Sequence, residues 1–556
     1  MRSHLPVAAL SLALLAAASM ARGQGSGPIS AGRMSDIVRE ISSDAYGGRS
    51  PGTAAETRTV AYLVRRLKAL GLEPGGDHGG FLQTVPLVRI EVAPDPKLRL
   101  ELGGWSQPLR QSQEVVIESQ QPRAHVHVDK APLVFVGYGV AAPERGWDDF
   151  KGVDLHGKIA VFLVNDPDFA ATKGEDAFGR FGGRAMTYYG RWTYKFEEAA
   201  RRGALGALII HEPAAAGYGW ATVQSSNAES YDIVRADPER AHPLIQGWIQ
   251  RDTAAALFRR AGLELDQLEA QARRSDFRPA PVGGATLSAD YDVSFHRVES
   301  HNVLARRTGS RRPAETVIFG AHWDAFGVGA PDAQGVRIRH GAADDGTGVA
   351  GVLELARAFA RGPRTARTTV FAIWTAEERG LLGSEWYGVH PLYDPALTAA
   401  DFTMDTLEPV GPSRDVVLVG AGQNDLEDRL TVAAAAQDRV VTADTHPERG
   451  LFYRADHFSL AKRGVPTLLL MSLGGGPDLV SGGRAAGERW ITDYTAHCYH
   501  QPCDVWRADW NLEGAAQDVD LLYVMGRDIA SSGAWPRWKA DSEFASIRSA
   551  TDSRRR

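Results

Sequence analysis

Six side chains in the second half of the chain are of the kinds that bind divalent metal ions and activate water. Two histidines and three carboxylates suit a pair of ions that share one carboxylate, and one further glutamate suits a general base. This combination indicates metal-assisted hydrolysis more clearly than any other pattern in the 556 residues. The six residues are His322, Asp344, Glu377, Glu378, Asp405 and His500.

Three of these residues, which lie in two stretches, can also be interpreted without a metal. The adjacent Glu377 and Glu378 repel each other unless a cation or a shared proton lies between them, but acidic residues also favour the first turn of a helix. Asp344 begins the stretch Asp-Asp-Gly-Thr-Gly, which suits a bridging carboxylate and equally suits a turn with a helix N-cap. Each pattern alone is therefore ambiguous, and only their convergence at one place would indicate a site.

Predicted strands and helices alternate in the part of the chain that carries these residues. The alternation predicts an α/β fold with a mostly parallel mixed sheet and helices on both faces. Ligands bind outside the carboxyl ends of the strands in such sheets. His322 follows a predicted strand at 316–319, and Glu377 follows one at 369–374. We therefore expect the candidate residues to meet at one edge of one sheet.

The length of the chain and the changes in its sequence pattern predict more than one domain. A β-rich stretch with predicted strands at 157–164 and 206–210 shows no chemical pattern, and we interpret it as an inserted domain. A short apolar run at 5–18 indicates a signal peptide rather than a membrane anchor, so we expect export to the periplasm or the extracellular space. The predicted segments are a signal peptide at 1–21, the first part of the catalytic domain at 30–114, the inserted domain at 115–285, the catalytic domain at 295–535 and a tail at 540–556.

Composition and net charge bear on the kinds of molecule that the protein could bind. Hydrophobic residues make up 44% and charged residues 23% of the chain, which is ordinary for a globular protein. A net charge of −6 gives no indication of a nucleic-acid or anionic-membrane partner.

The two cysteines, Cys498 and Cys503, flank His500. In an exported protein they could form a disulfide, and the alternatives are two free thiols or thiolate metal ligands.

Four stretches resemble motifs of the M28 family of zinc metallopeptidases, the group that includes aminopeptidase Y and the bacterial leucyl aminopeptidases. The similarity covers roughly residues 34–110 and 295–530, with the motifs in the family's order. The segment 137–211 looks like the protease-associated (PA) domain that several members carry as an insertion. The stretches are His-x-Asp at 322–324, Asp-Asp-Gly-Thr-Gly at 344–348, Ala-Glu-Glu-x-Gly-Leu-Leu-Gly-Ser at 376–384 and Tyr-His-x-Pro-Cys-Asp at 499–504.

The resemblance implies a cofactor of two zinc ions per chain. His322 and His500 would each bind one ion, and Asp344 would bridge the two. Glu378 would be a further ligand of one ion, and Asp405 would be a further ligand of the other.

The resemblance also implies roles for residues around the ions. Glu377 would be the general base on a zinc-bound water, and Asp324 would hold His322 in orientation. The hydroxyl of Tyr499 matches a group that helps to stabilise the tetrahedral intermediate in some relatives. The sequence departs from the family with Thr403 where many relatives have Asn, and with Thr406 where many have Met. These departures leave the implied ligand set intact.

We therefore expect a dizinc exopeptidase that acts on peptides, and we favour an aminopeptidase. A carboxypeptidase of the glutamate-releasing type is the main alternative, disfavoured because the sequence alone places no arginine cluster in the pocket. A glutaminyl cyclase shares the implied fold but uses one zinc ion, whereas the full ligand set favours two. A binding module on an inactive scaffold would lack ligands, and none is missing.

Overall fold

The structure is a computed structural model that describes residues 28–224 and 229–555. The predicted signal peptide at 1–21 lies outside the described residues. Within the described ranges, no helix combines the length and the apolar character that crossing a membrane requires.

One sheet is built around four parallel strands, which confirms the predicted α/β class. Three of them are buried along their whole length, as expected for parallel strands that helices cover on both faces. Their order is Thr467–Met471, Thr398–Asp405, Arg312–His322 and Arg367–Trp374. Antiparallel strands complete this first sheet, namely the last part of Ala280–Arg307, then Leu82–Val92 and Glu229–Ile233, with Glu73–Pro74 also paired to Ala280–Arg307.

Helices cover both faces of the first sheet because successive side chains of a strand point to opposite sides. Phe319 packs into the core on one face, and its neighbour Ile318 packs into the core on the other. The helices on the first face are Ala31–Ile41, Ala54–Ala69, Gly346–Arg361, Leu426–Ala435 and Glu513–Ser531. Those on the second face are Leu382–Val389 and His457–Ala461.

A second sheet lies in the stretch interpreted as an inserted domain. The long strand Ala280–Arg307 belongs to both sheets, since it pairs in the second sheet up to Asp292 and in the first sheet from Val293 onward. The other strands of the second sheet are, in spatial order, Trp105–Leu109 and Lys97–Leu102 on one side of it and His125–Phe135, Ile159–Leu163, Gly206–His211, Ile245–Gln250 and Val115–Glu118 on the other.

The second sheet has its own helices and its own cores. Two of its strands, Lys97–Leu102 and Trp105–Leu109, precede residue 115, the predicted start of the insertion. They belong with the second sheet, since Leu98 and Leu100 pack into the same core as the strands after residue 115. The helices of this region are Trp192–Arg201, Pro213–Ala216, Trp220–Gln224, Pro238–Ala241, Arg251–Arg260 and Leu265–Ala272.

The remaining elements lie outside both sheets. The strand Asp415–Leu418 pairs with Val440–Ala443 in a separate parallel pair. Two other short pairs are Ala141–Ala142 with Trp147–Asp148 and Gly327–Val328 with Ile338–Arg339. The last helices are Gly483–Asp493, its continuation as a π-turn at Tyr494–Cys498, and Ala545–Ser549.

Candidate metal centre

The carboxyl ends of three neighbouring parallel strands meet where the sequence predicts a site. His322 and Asp405 are each the last residue of a strand. Glu377 and Glu378 follow closely after the third strand, which ends at residue 374. Asp344 lies in the turn before the long helix that packs against these strands. Residues distant in sequence therefore converge at one edge of the first sheet, as the alternation of strands and helices predicts.

The carboxylate of Asp344 lies between the two histidines. Its Oδ1 is 3.2 Å from Nε2 of His322, and its Oδ2 is 3.2 Å from Nε2 of His500. The side chain of His322 is 1% exposed and that of Asp344 is 5% exposed, so this contact is shielded from bulk water. One carboxylate that directs its two oxygens to two different imidazoles has the arrangement of a ligand shared by two cations.

Two groups of three ligand atoms share Asp344. The first contains His322 and Asp405, whose Nε2 and Oδ1 atoms are 3.8 Å apart. The second contains His500 and Glu378, whose Nε2 and Oε2 atoms are 3.1 Å apart. Zinc bound at about 2.0–2.1 Å in a tetrahedron separates its ligand atoms by about 3.3 Å. The observed separations fit a small divalent ion in each group.

The first histidine is prepared for a metal by its own hydrogen bonding. Nδ1 of His322 is 3.1 Å from the backbone carbonyl of Asp324, which can only accept, so Nδ1 carries the proton and Nε2 offers its lone pair. Nε2 is buried and has no hydrogen-bond partner among the described residues. A cation between His322, Asp344 and Asp405 would satisfy that atom, and the chemistry of the donors therefore fits a metal ion.

Burial and neighbouring charges shift the pKa values of the glutamates and of His500 in the cluster. Burial raises the pKa of Glu377 well above its ordinary value and that of Glu378 to about 7. Burial alone would lower the pKa of His500, but Glu378 and Asp344 outweigh burial and raise it to about 10. Carboxylates packed this closely need compensating charge, which histidine protons or divalent ions can supply.

Asp324 supports the site differently from its predicted role. Its carboxylate Oδ1 lies 3.7 Å from Nδ1 of His322, while the backbone carbonyl makes the closer contact. The carboxylate instead accepts hydrogen bonds from the backbone N–H groups of Glu377 at 3.0 Å and Glu378 at 3.3 Å. Asp324 therefore fixes the turn that presents both glutamates, in addition to orienting the histidine through its backbone.

Two further aspartates anchor the loops that carry the ligands. Asp345 is the N-cap of the helix Gly346–Arg361, and its carboxylate also accepts from the backbone N–H groups of His322 and Thr406. Asp504 accepts from the backbone N–H groups of Ala343 at 2.9 Å and Asp344 at 3.2 Å. The sequence interpretation considered the N-cap but missed the long-range hydrogen bonds of both aspartates, because hydrogen bonds to distant backbone leave no local pattern.

A small closed loop carries His500. Cys498 and Cys503 form a disulfide, so the thiol and thiolate alternatives do not apply. The ring of His500 packs at 3.7 Å from that of Tyr499 and at 4.5 Å from that of Phe326, measured between ring centroids. Burial raises the pKa of Tyr499 well above its ordinary value, and the charges of Asp344 and nearby glutamate act in the same direction. The hydroxyl of Tyr499 therefore remains protonated beside the ligands.

Two further ionisable residues, Arg454 and Asp456, lie beside the cluster. Burial alone would lower the pKa of Arg454, but nearby Tyr499 and Glu377 are among the groups that outweigh burial and raise it. Asp456 precedes a helix without making a capping hydrogen bond, and burial raises its pKa to about 8. Both residues follow the short helical turn Leu451–Tyr453.

Comparison with known protein families finds a match for the part of the chain that carries this cluster. Residues 302–524 match the sequence profile of peptidase family M28. This range contains every predicted ligand, the two adjacent glutamates and Tyr499.

Individual relatives match longer parts of the chain. Aminopeptidase NAALADL1 of Rattus norvegicus is 25% identical over 413 residues, which cover 64% of this chain and 50% of the relative. Carboxypeptidase Q of Bos taurus is 35% identical over 355 residues, which cover 62% of this chain and 59% of the relative. The chain thus spans little more than half the length of these two relatives.

A solved structure, an aminopeptidase from Aneurinibacillus sp. strain AM-1, also overlaps with this chain. It is 19% identical, with a TM-score of 0.49, over 91% of this chain and 96% of that one.

Proposed function

We propose that the chain is a zinc-dependent exopeptidase with two zinc ions, most simply an aminopeptidase, because residues 302–524 match the profile of peptidase family M28. The observation that carries the proposal is Asp344, whose two carboxylate oxygens lie 3.2 Å from two different imidazoles. A site for one ion would not need a carboxylate shared in this way. A zinc content near two per chain supports the proposal, and a content near one would favour a cyclase-like site.

The chain would hold the ions through two groups of ligands, with Asp344 common to both. His322 and Asp405 belong to one group, and His500 and Glu378 belong to the other. Ions bound there would act as Lewis acids that polarise the scissile carbonyl and make water a better nucleophile at neutral pH.

Glu377 is suited to move the proton. It belongs to neither ligand group, yet its Oε2 lies 3.7 Å from Nε2 of His322. Its backbone is fixed by Asp324, and burial raises its pKa well above the ordinary value, which makes it a stronger base once ionised. Glu377 would accept a proton from the attacking water and pass it to the leaving amine.

Tyr499 is suited to stabilise developing negative charge. Its hydroxyl remains protonated because burial and neighbouring carboxylates raise its pKa. A fixed O–H donor in a site shielded from water stabilises an oxyanion more strongly than a donor in bulk solvent does. Tyr499 would therefore donate a hydrogen bond to the carbonyl oxygen as it becomes tetrahedral.

The site contains charged groups that could hold either end of a peptide, so a carboxypeptidase is the second candidate. Glu377 and Asp405 are anionic groups that could hold a free α-amine, as an aminopeptidase requires. Arg454 lies near Glu377 and Tyr499 and is a cation that could hold a free α-carboxylate. The relatives named above include both an aminopeptidase and a carboxypeptidase. The end of the substrate must therefore be determined directly.

Peptides blocked at one end separate the two candidates. The aminopeptidase proposal expects N-acetylated peptides to be inert and C-terminally amidated peptides to be cleaved, as followed by mass spectrometry. The opposite pattern, with a rise in KM of roughly 10-fold or more in Arg454→Gln, would replace it with the carboxypeptidase. The Glu377→Gln variant in the same preparation is the control for contaminating peptidases.

Export and the nature of the second sheet belong to the same proposal. An exported enzyme would be consistent with the disulfide between Cys498 and Cys503. The second sheet, with its parallel strands Ile159–Leu163, Gly206–His211 and Ile245–Gln250, would be the PA-like insertion that the sequence suggests. Peptides are the proposed partners of the enzyme.

A further inference from the structure

A second cluster of metal-ligand side chains lies on the exposed face of the second sheet. His125 and His127 alternate with buried residues along one strand, and Asp290 and Asp292 do so along its antiparallel neighbour. The register pairs His125 with Asp292 and His127 with Asp290. Because side chains two apart on a strand share a face, all four project to the same side and form two adjacent cross-strand pairs.

The distances within this cluster resemble those of a partly assembled metal site. Nδ1 of His125 is 2.8 Å from Asp292, and Nδ1 of His127 is 2.8 Å from Asp290. Nε2 of His125 is 3.7 Å from Oδ1 of Asp290. That separation is too long for a hydrogen bond, but it is close to the roughly 3.3 Å between ligand atoms around tetrahedral zinc.

From this geometry we infer a divalent-metal site of the zinc class formed by His125, His127 and Asp290. One ligand atom from each of the three lies within 4.8 Å of the others. Asp292 acts as a positioning residue, because its contact with Nδ1 of His125 leaves the Nε2 lone pair directed toward Asp290. A carboxylate that orients a ligating histidine in this way is a common feature of zinc sites. Water would complete the coordination of the ion.

Ordinary surface ion pairs would not require this arrangement. Each histidine already has one carboxylate at hydrogen-bond distance, so two separate cross-strand pairs do not require Asp290 also to face Nε2 of His125. The side chains of His125 and Asp290 are about half exposed, at 50% and 53%. An ion could therefore reach the ligands without any rearrangement of the fold.

The position of the site gives it a structural consequence. Asp290 and Asp292 lie on the long strand immediately before Val293, where that strand stops pairing in the second sheet and begins to pair in the first. His125 and His127 lie on a strand of the second sheet alone. A bound ion would fasten the two strands together at the point where the inserted region joins the catalytic region, and it would stabilise that junction without taking part in catalysis.

Zinc titration of the full-length protein tests the inference. The chain is first loaded at its catalytic centre and freed of excess ion, and further Zn²⁺ binding is then followed by calorimetry. We expect one additional equivalent, weakened more than 10-fold in the double variant His125→Ala, His127→Ala and in Asp290→Asn. Asp292→Asn should weaken binding by roughly 10–100-fold, the usual effect of losing a carboxylate that orients a ligand. Peptide hydrolysis should be unchanged in all three variants.

His156→Ala provides the matched control. His156 is also exposed and contacts the carboxylate of Asp154 at 2.8 Å, but it has no second histidine in its group. This variant should keep the additional equivalent. Cu²⁺ bound in place of Zn²⁺ should show nitrogen hyperfine coupling from two imidazoles in electron paramagnetic resonance spectra. The inference would be overturned if the double variant bound the additional zinc ion as tightly as the parent protein, or if His156→Ala lost that ion as well. Copper spectra with coupling to fewer than two nitrogens would also overturn it.

Discussion

The candidate metal centre at the first sheet and the cluster on the second sheet contain the same kinds of side chain but differ in burial. His322 and Asp344 are almost fully buried, whereas His125 and Asp290 are about half exposed. Water can solvate the exposed carboxylates, so their charges are tolerated with or without an ion. The buried carboxylates have no such solvent, and an unpaired charge there carries a large cost. The same residue types therefore form an optional site at the surface and an obligatory one in the interior.

The two clusters also differ in how the chain positions them. The proposed zinc ligands lie at the ends of parallel strands or in loops whose backbone N–H groups donate hydrogen bonds to Asp324, Asp345 and Asp504. The second cluster stands on the face of two regular antiparallel strands and depends on their register alone. Loss of one surface ligand should therefore be a local event, whereas loss of one buried ligand should affect the whole centre.

The largest expected effect tests this contrast at the shared ligand. Asp344→Ala removes the carboxylate common to both groups of catalytic ligands, so the variant should lose both zinc ions and fall to the activity of metal-free protein. Metal analysis after gel filtration, together with peptide hydrolysis, measures both losses. The matched surface substitution Asp290→Asn should leave activity intact. Full zinc content in Asp344→Ala would contradict the bridging role.

The next effect separates the two adjacent glutamates. Glu377→Gln should retain near-normal zinc and fold but lose at least roughly 10²-fold in kcat, the lower end of general acid–base contributions. Glu378→Gln should also lose zinc affinity, because its carboxylate lies 3.1 Å from Nε2 of His500. Steady-state kinetics and zinc competition with a chelator measure the two properties separately.

The assignment of these glutamates can fail in two distinct ways. An active Glu377→Gln variant would show that another group accepts the proton. A Glu377→Gln variant that loses zinc while Glu378→Gln keeps it would mean that the two roles must be exchanged.

A smaller effect is expected at the disulfide beside His500. Reducing Cys498–Cys503, or replacing both residues by serine, removes the covalent restraint on a loop that carries one ligand. Zinc should dissociate roughly 10-fold faster, in line with the loss of other groups that position ligands. Stopped-flow capture of the released ion by a chelating dye measures this rate. The surface site contains no cysteine, so its affinity should be the same with and without reductant.

The difference between the clusters also explains what the sequence could predict. The strand ends before His322 and Glu377 carry strong local signals, namely buried apolar runs followed by polar turns, and the α/β fold was predicted from them. Asp344 and His500 were assigned because they lie in recognisable motifs. The surface cluster was missed because Asp290 lies more than 160 residues from its partner His127, and only strand register brings the two together.

Long-range pairing accounts for the other differences from the sequence-based description. The strand Ala280–Arg307 serves two sheets, a property that depends on its partners and has no signature in its own sequence. Asp415–Leu418 has the apolar character of a sheet strand but pairs apart from the main sheet. Arg454 lies beside the ligands in a turn that no motif marks. Local patterns thus predict secondary-structure elements and strand ends, whereas strand register and the positions of loops beside the site depend on tertiary structure.

The smallest expected effect concerns a buried histidine near the centre. His457 is fully buried, its ring packs against that of Phe452, and burial lowers its pKa from 6.5 to about 3. Between these values the unfolded chain binds a proton that the folded chain does not, so stability falls as the pH falls below 6.5. Linkage gives a loss of about 1.4 kcal/mol between pH 7.5 and pH 5.5. Urea unfolding at the two pH values should show this loss in the parent protein and a loss smaller by that amount in His457→Leu. An equal loss in both proteins would mean that His457 already carries its proton when folded, and that burial has less effect on this interior histidine than its surroundings indicate.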